Sequence, residues 1–257
     1  MKEVKIFLIL AFVSLQFSQC SSSLKNTAQN SVAKDFKKEG YISLFNGNDL
    51  KGWKIPQGDN GHWKVLDGVI DYDALSEAED KNLFTEQTFK NYQLHIEWRF
   101  KKHSNLYPVP TILPNGDYAR DTAGNIIYTM LPNADSGILM RGKDQVQVWC
   151  WPIGSGEIWG TRNDMNVSAE ERKKAVPKFH ADNPVGEWNA FDITLKGKRV
   201  TVYLNNILVI EDALMPGVPE KGPIGLQHHG GIDKKTGEMD GASSLIQFRN
   251  IWIKEVI

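Results

Sequence analysis

From residue 36 onward, apolar and polar positions alternate in short runs separated by Gly, Asn, Asp and Pro. A period of two is the signature of half-buried strands. The alternation predicts strands over 63–72, 93–101, 136–141, 145–150, 190–196, 199–204, 208–211, 224–228 and 244–254. Lys196-Gly197-Lys198 and Asn205-Asn206 read as hairpin turns. Helical spacing occurs only over 168–176, SAEERKKAV, with Ser168 as N-cap and Glu171 three residues on. Many short strands with tight turns predict an all-β sandwich or jelly roll of two antiparallel sheets, with one short helix in a rim loop. Two stretches break the rhythm: 103–133, with four prolines, and 152–188, which carries the helix. Loops of that length in a compact domain are usually functional or mobile, and both are expected at the rim, over a binding face.

Strand phase assigns side chains to faces. In the strand over 93–100, Leu94, Ile96, Trp98 and Phe100 point one way and Glu97 the other. Arg141 leaves the apolar phase of Ile138 and Met140. Gln145, Gln147 and Trp149 oppose Val146, Val148 and Cys150, and Gln227 and His229 oppose Ile224, Leu226 and His228. If these strands are neighbours, Glu97, Arg141, Gln147, Trp149, Gln227 and His229 form one patch of a carboxylate, a guanidinium, two amides, an indole and an imidazole. Such groups hydrogen-bond hydroxyls and stack on sugar rings. The alternative is a plain solvated face, as in many antiparallel sheets, although such a face ordinarily carries Lys, Glu, Thr and Ser. Each residue has a structural alternative. Glu97 could pair with Arg99 or Arg141, and Arg141 could be an ion-pair partner. His228 falls on the core phase, and His180 lies in a loop. Glu157 sits beside Gly154 and Gly156, which would let the backbone approach a ligand, and is the second candidate carboxylate. Trp151 is a further candidate for stacking. No spaced Cys/His cluster suggests zinc. No glycine-rich phosphate loop is present, and Asp117 and Asp121 lack calcium-loop spacing.

Residues 1–19 have the shape of a signal peptide: Lys2 and Lys5, then an apolar run over 6–17 too short to span a bilayer. Cys20 followed by three serines resembles a bacterial lipobox. The expectation is therefore a leader over 1–19, a lipidated tether over 20–35 and a single domain over 36–257, held at the periplasm or outer membrane by lipid alone. The other cysteine is Cys150, so the domain is held by its core and not by disulfides. The net charge of −1, with no basic stripe, argues against nucleic acid. Eight Trp residues are a high count, suited to cores and to sugar faces.

An ordered set of phrases carries a family resemblance. It runs from Leu44-Phe45-Asn46-Gly47 and Leu50-Lys51-Gly52-Trp53 through Asp135-Ser136-Gly137-Ile138 with Arg141 to Gly186-Glu187-Trp188-Asn189. Gly222-Pro223-Ile224-Gly225-Leu226-Gln227-His228-His229-Gly230 and Phe248-Arg249-Asn250-Ile251 complete it. From about residue 40 onward the chain resembles the 3-keto-disaccharide hydrolase domain family, formerly a domain of unknown function. The resemblance implies a concanavalin A-like jelly roll and a hydrolase that cleaves 3-keto-glycosides, with a separate oxidoreductase supplying the 3-keto-sugars. Many members carry an acidic residue two positions after the strand Gln, where this chain has Trp149. A 3-keto group acidifies the C2 proton, so its removal, loss of the C1 oxygen and addition of water give net hydrolysis. This path needs a base, an oxyanion stabiliser and an acid and not the carboxylate pair of ordinary glycosidases. His229 or Glu97 is expected as base, Arg141 with Gln227 at the oxyanion and Glu157 as acid. Gln147, Trp149, Trp151, Gln227 and His228 are expected to bind substrate. A divalent metal held by Glu97 and His229 is the alternative stabiliser. Two other readings stay open: a non-catalytic carbohydrate-binding lipoprotein of the same fold, and an ordinary two-carboxylate glycosidase.

Overall fold

The computed structural model describes residues 35–257, so the leader, Cys20 and nearly all of the tether lie outside the described residues. Asp35–Ile257 forms one compact unit. Fifteen strands follow in order: β1 (Ile42–Ser43), β2 (Trp53–Lys54), β3 (Trp63–Leu66), β4 (Val69–Tyr72), β5 (Leu83–Phe89), β6 (Tyr92–Phe100), β7 (Asn105–Pro110) and β8 (Tyr128–Asn133). Then come β9 (Asp135–Met140), β10 (Asp144–Trp149), helices α1 (Trp159–Asn163) and α2 (Ala169–Lys174), β11 (Asn189–Lys196), β12 (Arg199–Leu204), β13 (Ile207–Leu214), β14 (Gly222–Leu226) and β15 (Ile246–Glu255). An eight-stranded antiparallel sheet runs β13-β12-β11-β6-β15-β4-β3, with β1 on β15. A five-stranded sheet runs β10-β9-β14-β5-β2, and β7 and β8 form a separate ribbon. The two large sheets make the jelly-roll sandwich.

Alternation builds the core between them. Leu94, Ile96, Trp98, Phe191, Ile193, Val202 and Phe248 of the larger sheet meet Leu83, Ile138, Val146, Val148, Ile224 and Leu226 of the smaller, all buried in one cluster. Large apolar side chains of this kind supply most of the favourable free energy of folding. The hairpins follow turn chemistry: Asn205 and Asn206 both take positive φ, and Gly197 does so in the β11–β12 turn.

Several elements differ from the sequence reading. The run 63–72 is two strands, because Asp67 and Gly68 both take positive φ and fold it into the β3–β4 hairpin. Strand β5 lay outside the predicted set. The proline-rich stretch holds the β7–β8 ribbon, which pairs from Asn105↔Asn133 to Pro110↔Tyr128. A ribbon with no third strand tolerates prolines, since their missing N–H groups face no neighbour. A second short helix, α1, precedes the predicted one. Ser168 caps α2, its Oγ accepting from the Glu171 N–H at 3.3 Å.

Candidate active site

Three neighbouring strands of the smaller sheet build the site. The register sets Trp149 opposite Asp135, Gln147 opposite Gly137 and Gln145 opposite Leu139, while Leu226 of β14 pairs with Ile138. The residues of this phase leave the core for the outer face. There Asp135, Gln145, Gln147, Trp149, Gln227 and His229 line a cavity of 260 Å³. Tyr107 of the ribbon, Trp151, and Trp159 of α1 complete its lining. The ribbon is anchored beside the cavity because Tyr107, Val109 and Leu131 pack with Trp149 and Trp151 in a small apolar cluster. The Trp149 and Trp151 rings are stacked at 3.8 Å and 8°, and Trp149 Nε1 donates to the Gly154 carbonyl at 2.8 Å.

A chain of amides runs across the floor: Gln145 Nε2 donates to Gln147 Oε1, and Gln147 Nε2 donates to Asp135 Oδ1. Burial, and next the nearby Glu157 carboxylate, push the Asp135 carboxyl well above the usual range, against the Gln147 hydrogen bond. His229 is fixed by its own segment. Its N–H donates to Ser244 Oγ at 2.7 Å, and its Nδ1 lies 3.1 Å from the Ala242 carbonyl. A carbonyl only accepts, so Nδ1 carries the proton and Nε2 the lone pair. Burial lowers the His229 pKa, with the Ala242 contact and Asp240 opposing, which keeps the ring neutral near pH 7. Ser244 Oγ also donates to the Asp135 carbonyl at 2.7 Å, tying the histidine to the carboxyl segment. Gln227 Oε1 is buried with no hydrogen-bond partner among the described residues. The cavity thus combines a neutral imidazole acceptor, a carboxyl biased toward its protonated form, side-chain amides and aromatic walls.

The structure gathers Gln147, Trp149, Trp151, Gln227 and His229, and separates the other candidates. Glu97 lies on β6 of the larger sheet, where Arg249 Nε and Asn250 Nδ2 donate to it at 2.6 and 2.7 Å. Burial raises its carboxyl, but hydrogen bonds from His95, Asn250 and Arg249 outweigh this and set it at about 2. Phase alone could not tell which sheet β6 joins. Glu97 and His229 occupy opposite outer faces of the sandwich, so they cannot share a metal. No group of three or more potential metal-ligating His, Cys, Asp or Glu side chains occurs among the described residues.

Arg141 follows the end of β9 with φ of 51°, which turns it away from the strand phase. It donates to the Pro219 carbonyl at 2.9 Å and to Asn91 at 3.3 Å, so it staples loops at the far end of the sheet. Glu157 is fully buried and paired with Arg162 Nε. Gly154 and Gly156 serve the protein itself: Gly156 N–H donates to the Gln147 carbonyl at 2.8 Å, and an added Cβ would sit 3.0 Å from Val209. His228 turns to the Tyr72 hydroxyl, and burial followed by Lys81 lowers it to about 4. His180 hydrogen-bonds the Pro152 carbonyl at 3.0 Å.

Sequence reasoning missed Asp135, Gln145, Tyr107 and Trp159. Asp135 was recoverable, because extending the 136–141 strand back by one residue puts it in phase with Gly137. Gln145 shares the phase of Gln147. Tyr107 and Trp159 carried no usable signal, because both arrive on stretches without alternation.

The family described as the 3-keto-alpha-glucoside-1,2-lyase-like domain matches residues 40–254. A 3-keto-disaccharide hydrolase of Bacteroides thetaiotaomicron is 26% identical over 206 residues, covering 74% of this chain and 64% of the relative. The chain therefore spans less than two thirds of that relative's length. A candidate glycosyl hydrolase of Parabacteroides distasonis ATCC 8503, solved at 2.13 Å, superposes with a TM-score of 0.55 at 25% identity and covers 84% of both chains. A second from the same organism, solved at 1.70 Å, has a TM-score of 0.50 at 22% identity over 89% of this chain and 99% of that one, a likeness of fold.

Proposed function

The chain belongs to the 3-keto-alpha-glucoside-1,2-lyase-like domain family, and from that premise we propose that it hydrolyses 3-keto-glycosides at the outer face of its smaller sheet. The observation that carries the reading is the placement in one cavity of the buried Asp135 carboxyl and of His229, whose Nδ1 is held by the Ala242 carbonyl so that Nε2 is left to accept a proton; burial shifts the aspartate upward and the histidine downward, in the directions this pairing needs. His229 Nε2 takes the proton from C2. The electrons form the C2–C3 enolate, and the amides of Gln227 and Gln145 donate to its oxygen. The enolate then collapses to a C1–C2 double bond as the C1–O bond breaks. The Asp135 carboxyl gives its proton to the leaving oxygen, which departs as an alcohol. Water then adds across the double bond: its hydroxyl goes to C1, its remaining proton goes to the Asp135 carboxylate, and the proton held on His229 returns to C2, so both groups are restored and the net change is hydrolysis. Asp135 takes the acid role expected of Glu157.

The test is incubation with a 3-keto-glucoside and with its unoxidised parent. Cleavage of the keto form alone supports the proposal. Cleavage of the parent indicates an ordinary glycosidase, and binding without turnover a carbohydrate-binding protein. His229→Ala should lower turnover of the keto form by about 10²-fold or more; near-wild-type turnover removes His229 as base. The substrate's C3 carbonyl requires an upstream dehydrogenation, so a separate oxidoreductase is part of the proposal. So are export and lipid attachment at Cys20. Incorporation of labelled palmitate by the wild type and not by Cys20→Ala would support the anchor, and equal labelling would exclude it.

A further inference from the structure

The turn over 240–244 packs behind His229, and its later residues grip the histidine segment. The Ala242 carbonyl accepts from His229 Nδ1 at 3.1 Å, Ser243 Oγ accepts from the Gly231 N–H at 2.8 Å, and Ser244 Oγ accepts from the His229 N–H at 2.7 Å. The approach is close: a Cβ added to Gly230 would lie 2.4 Å from Ser243 Oγ and 2.6 Å from Ser243 Cα. On its other side the turn meets the base of the ribbon, where Ser104 Oγ donates to the Gly241 carbonyl at 3.0 Å. Within the turn, Ala242 meets the imidazole ring, and Asp240 holds Ala242 at both ends. Asp240 Oδ1 accepts from the Ala242 N–H at 2.7 Å, and the Asp240 carbonyl accepts from the Ser243 N–H at 3.0 Å. The two peptide units that flank Ala242 are thereby fixed, and with them the direction of its carbonyl. The same side-chain bond to the residue two ahead recurs at Asp49, Asp73, Asp121 and Asp233, where it closes exposed turns. At Asp240 the residue so held ends instead on an imidazole, and Ala242 and Ser243 are buried. Without the carboxylate, the Ala242 N–H would lack its acceptor inside a buried turn, and turning the peptide relieves that cost.

Resting on the proposed role of His229 as base, we infer that Asp240 is a positioning residue that acts through Ala242. Its carboxylate orients the Ala242 peptide, the Ala242 carbonyl keeps the ring proton on Nδ1, and Nε2 is left with its lone pair for the substrate. One backbone residue thus relays what a carboxylate bonded directly to a catalytic histidine does elsewhere. Asp240 also opposes, through space, the lowering of His229 by burial, so the test must separate the hydrogen bond from the charge.

The experiment reads the histidine tautomer and the kinetics of the full chain. Asp240→Asn keeps an acceptor oxygen and loses the charge. Asp240→Glu keeps the charge but, one methylene longer, loses the bond to the residue two ahead. Asp240→Ala loses both. Ring proton–nitrogen correlation spectra of protein carrying isotope-labelled histidine show which nitrogen holds the proton, and the signal missing from His229→Ala identifies His229. The wild type and D240N should show the proton on Nδ1, and D240E and D240A should show an Nε2–H form. On a 3-keto-glucoside, kcat should fall about tenfold or more in D240E and D240A with KM within about twofold, and D240N should recover most of that loss. An Nε2–H ring in the wild type, or an Nδ1–H ring with unchanged kcat in D240A, overturns the assignment. So does the inverse order, with D240E like the wild type and D240N impaired, which would trace the effect to charge. If the wild type cleaves no keto-glycoside, the proposed reaction falls, and the ring signals by themselves decide whether Asp240 sets the tautomer. Melting curves check folding, and the contrast of D240N with D240E decides the question should D240A fail to fold.

Discussion

Gly137→Ala tests the floor of the first cavity with the smallest perturbation available. Gly137 lies on β9 opposite Gln147, and its φ is not among the positive values, so an alanine backbone fits without strain. The added Cβ would come within 2.9 Å of Gln227 Oε1, 3.0 Å of Gln145 Oε1 and 3.1 Å of Gln145 Cδ, where ordinary contact begins near 3.4 Å. The two amides must retreat by about 0.5 Å. Both are ends of flexible side chains, so the fold accommodates the shift. Removing a strand glycine gains about 0.5–1 kcal/mol, which offsets the crowding. The melting temperature should stay within about 4 °C of wild type. Catalysis is less forgiving, since a misplacement of about 1 Å costs roughly 10²-fold. We expect kcat/KM on a 3-keto-glucoside to fall about 10–100-fold at near-wild-type stability. A kcat/KM within twofold of wild type would show that these amides position nothing, and the floor assignment would be wrong.

Two further predictions test the corrected placements. Glu97→Gln should leave turnover within about twofold, because Glu97 is on the far sheet, and should cost about 1 kcal/mol of stability after solvent screening. The folded carboxyl is depressed from 4.5 to about 2, so its contribution is present above pH 4.5 and is lost as pH falls toward 2. The wild type and variant should converge in denaturant titrations at the acid end, and a constant gap would contradict the ion-pair role. Arg162→Met leaves the buried Glu157 without its partner, which should cost about 3–5 kcal/mol and lower the melting point by roughly 6–20 °C. Glu157→Met with Arg162→Met should recover part of that loss; an additive double variant would deny the pairing.

The sandwich was legible because both large sheets keep one apolar side, and alternation reports that directly. Glu97 shows where legibility stops. Its phase was read correctly as opposite to Leu94, Ile96 and Trp98, yet phase says only that a side chain leaves the core. Which of two outer faces it reaches depends on strand order, and β6 sits between β11 and β15 through pairings about 100 and 150 residues away in sequence. Gln147, Trp149 and Gln227 were placed together because β10, β9 and β14 are neighbours. Arg141 failed for a local reason: one left-handed residue at the strand end breaks the period. Glu157 failed because flanking glycines signal only close backbone approach. The partner approached proved to be β10 and Val209, and the carboxylate turned inward to Arg162.

The chemistry of the site depends on reversing an ordinary order of acidities. The reaction needs His229 neutral and Asp135 protonated at the same time. With ordinary values of 6.5 and 3.8, the imidazolium–carboxylate form would outnumber that state by about 500 to one. Burial lowers the histidine and raises the aspartate, because each charged form loses water, so both shifts favour the reactive state. Activity should rise with pH through the lowered His229 value, with its midpoint below 6.5, and fall once Asp135 ionises. Glu157 is the second cause holding the Asp135 proton, so Glu157→Gln should move the alkaline limb to lower pH and leave the acid limb in place. Measured as kcat/KM against pH on a 3-keto-glucoside, an alkaline limb that does not move would mean that Asp135 is not the group titrating there.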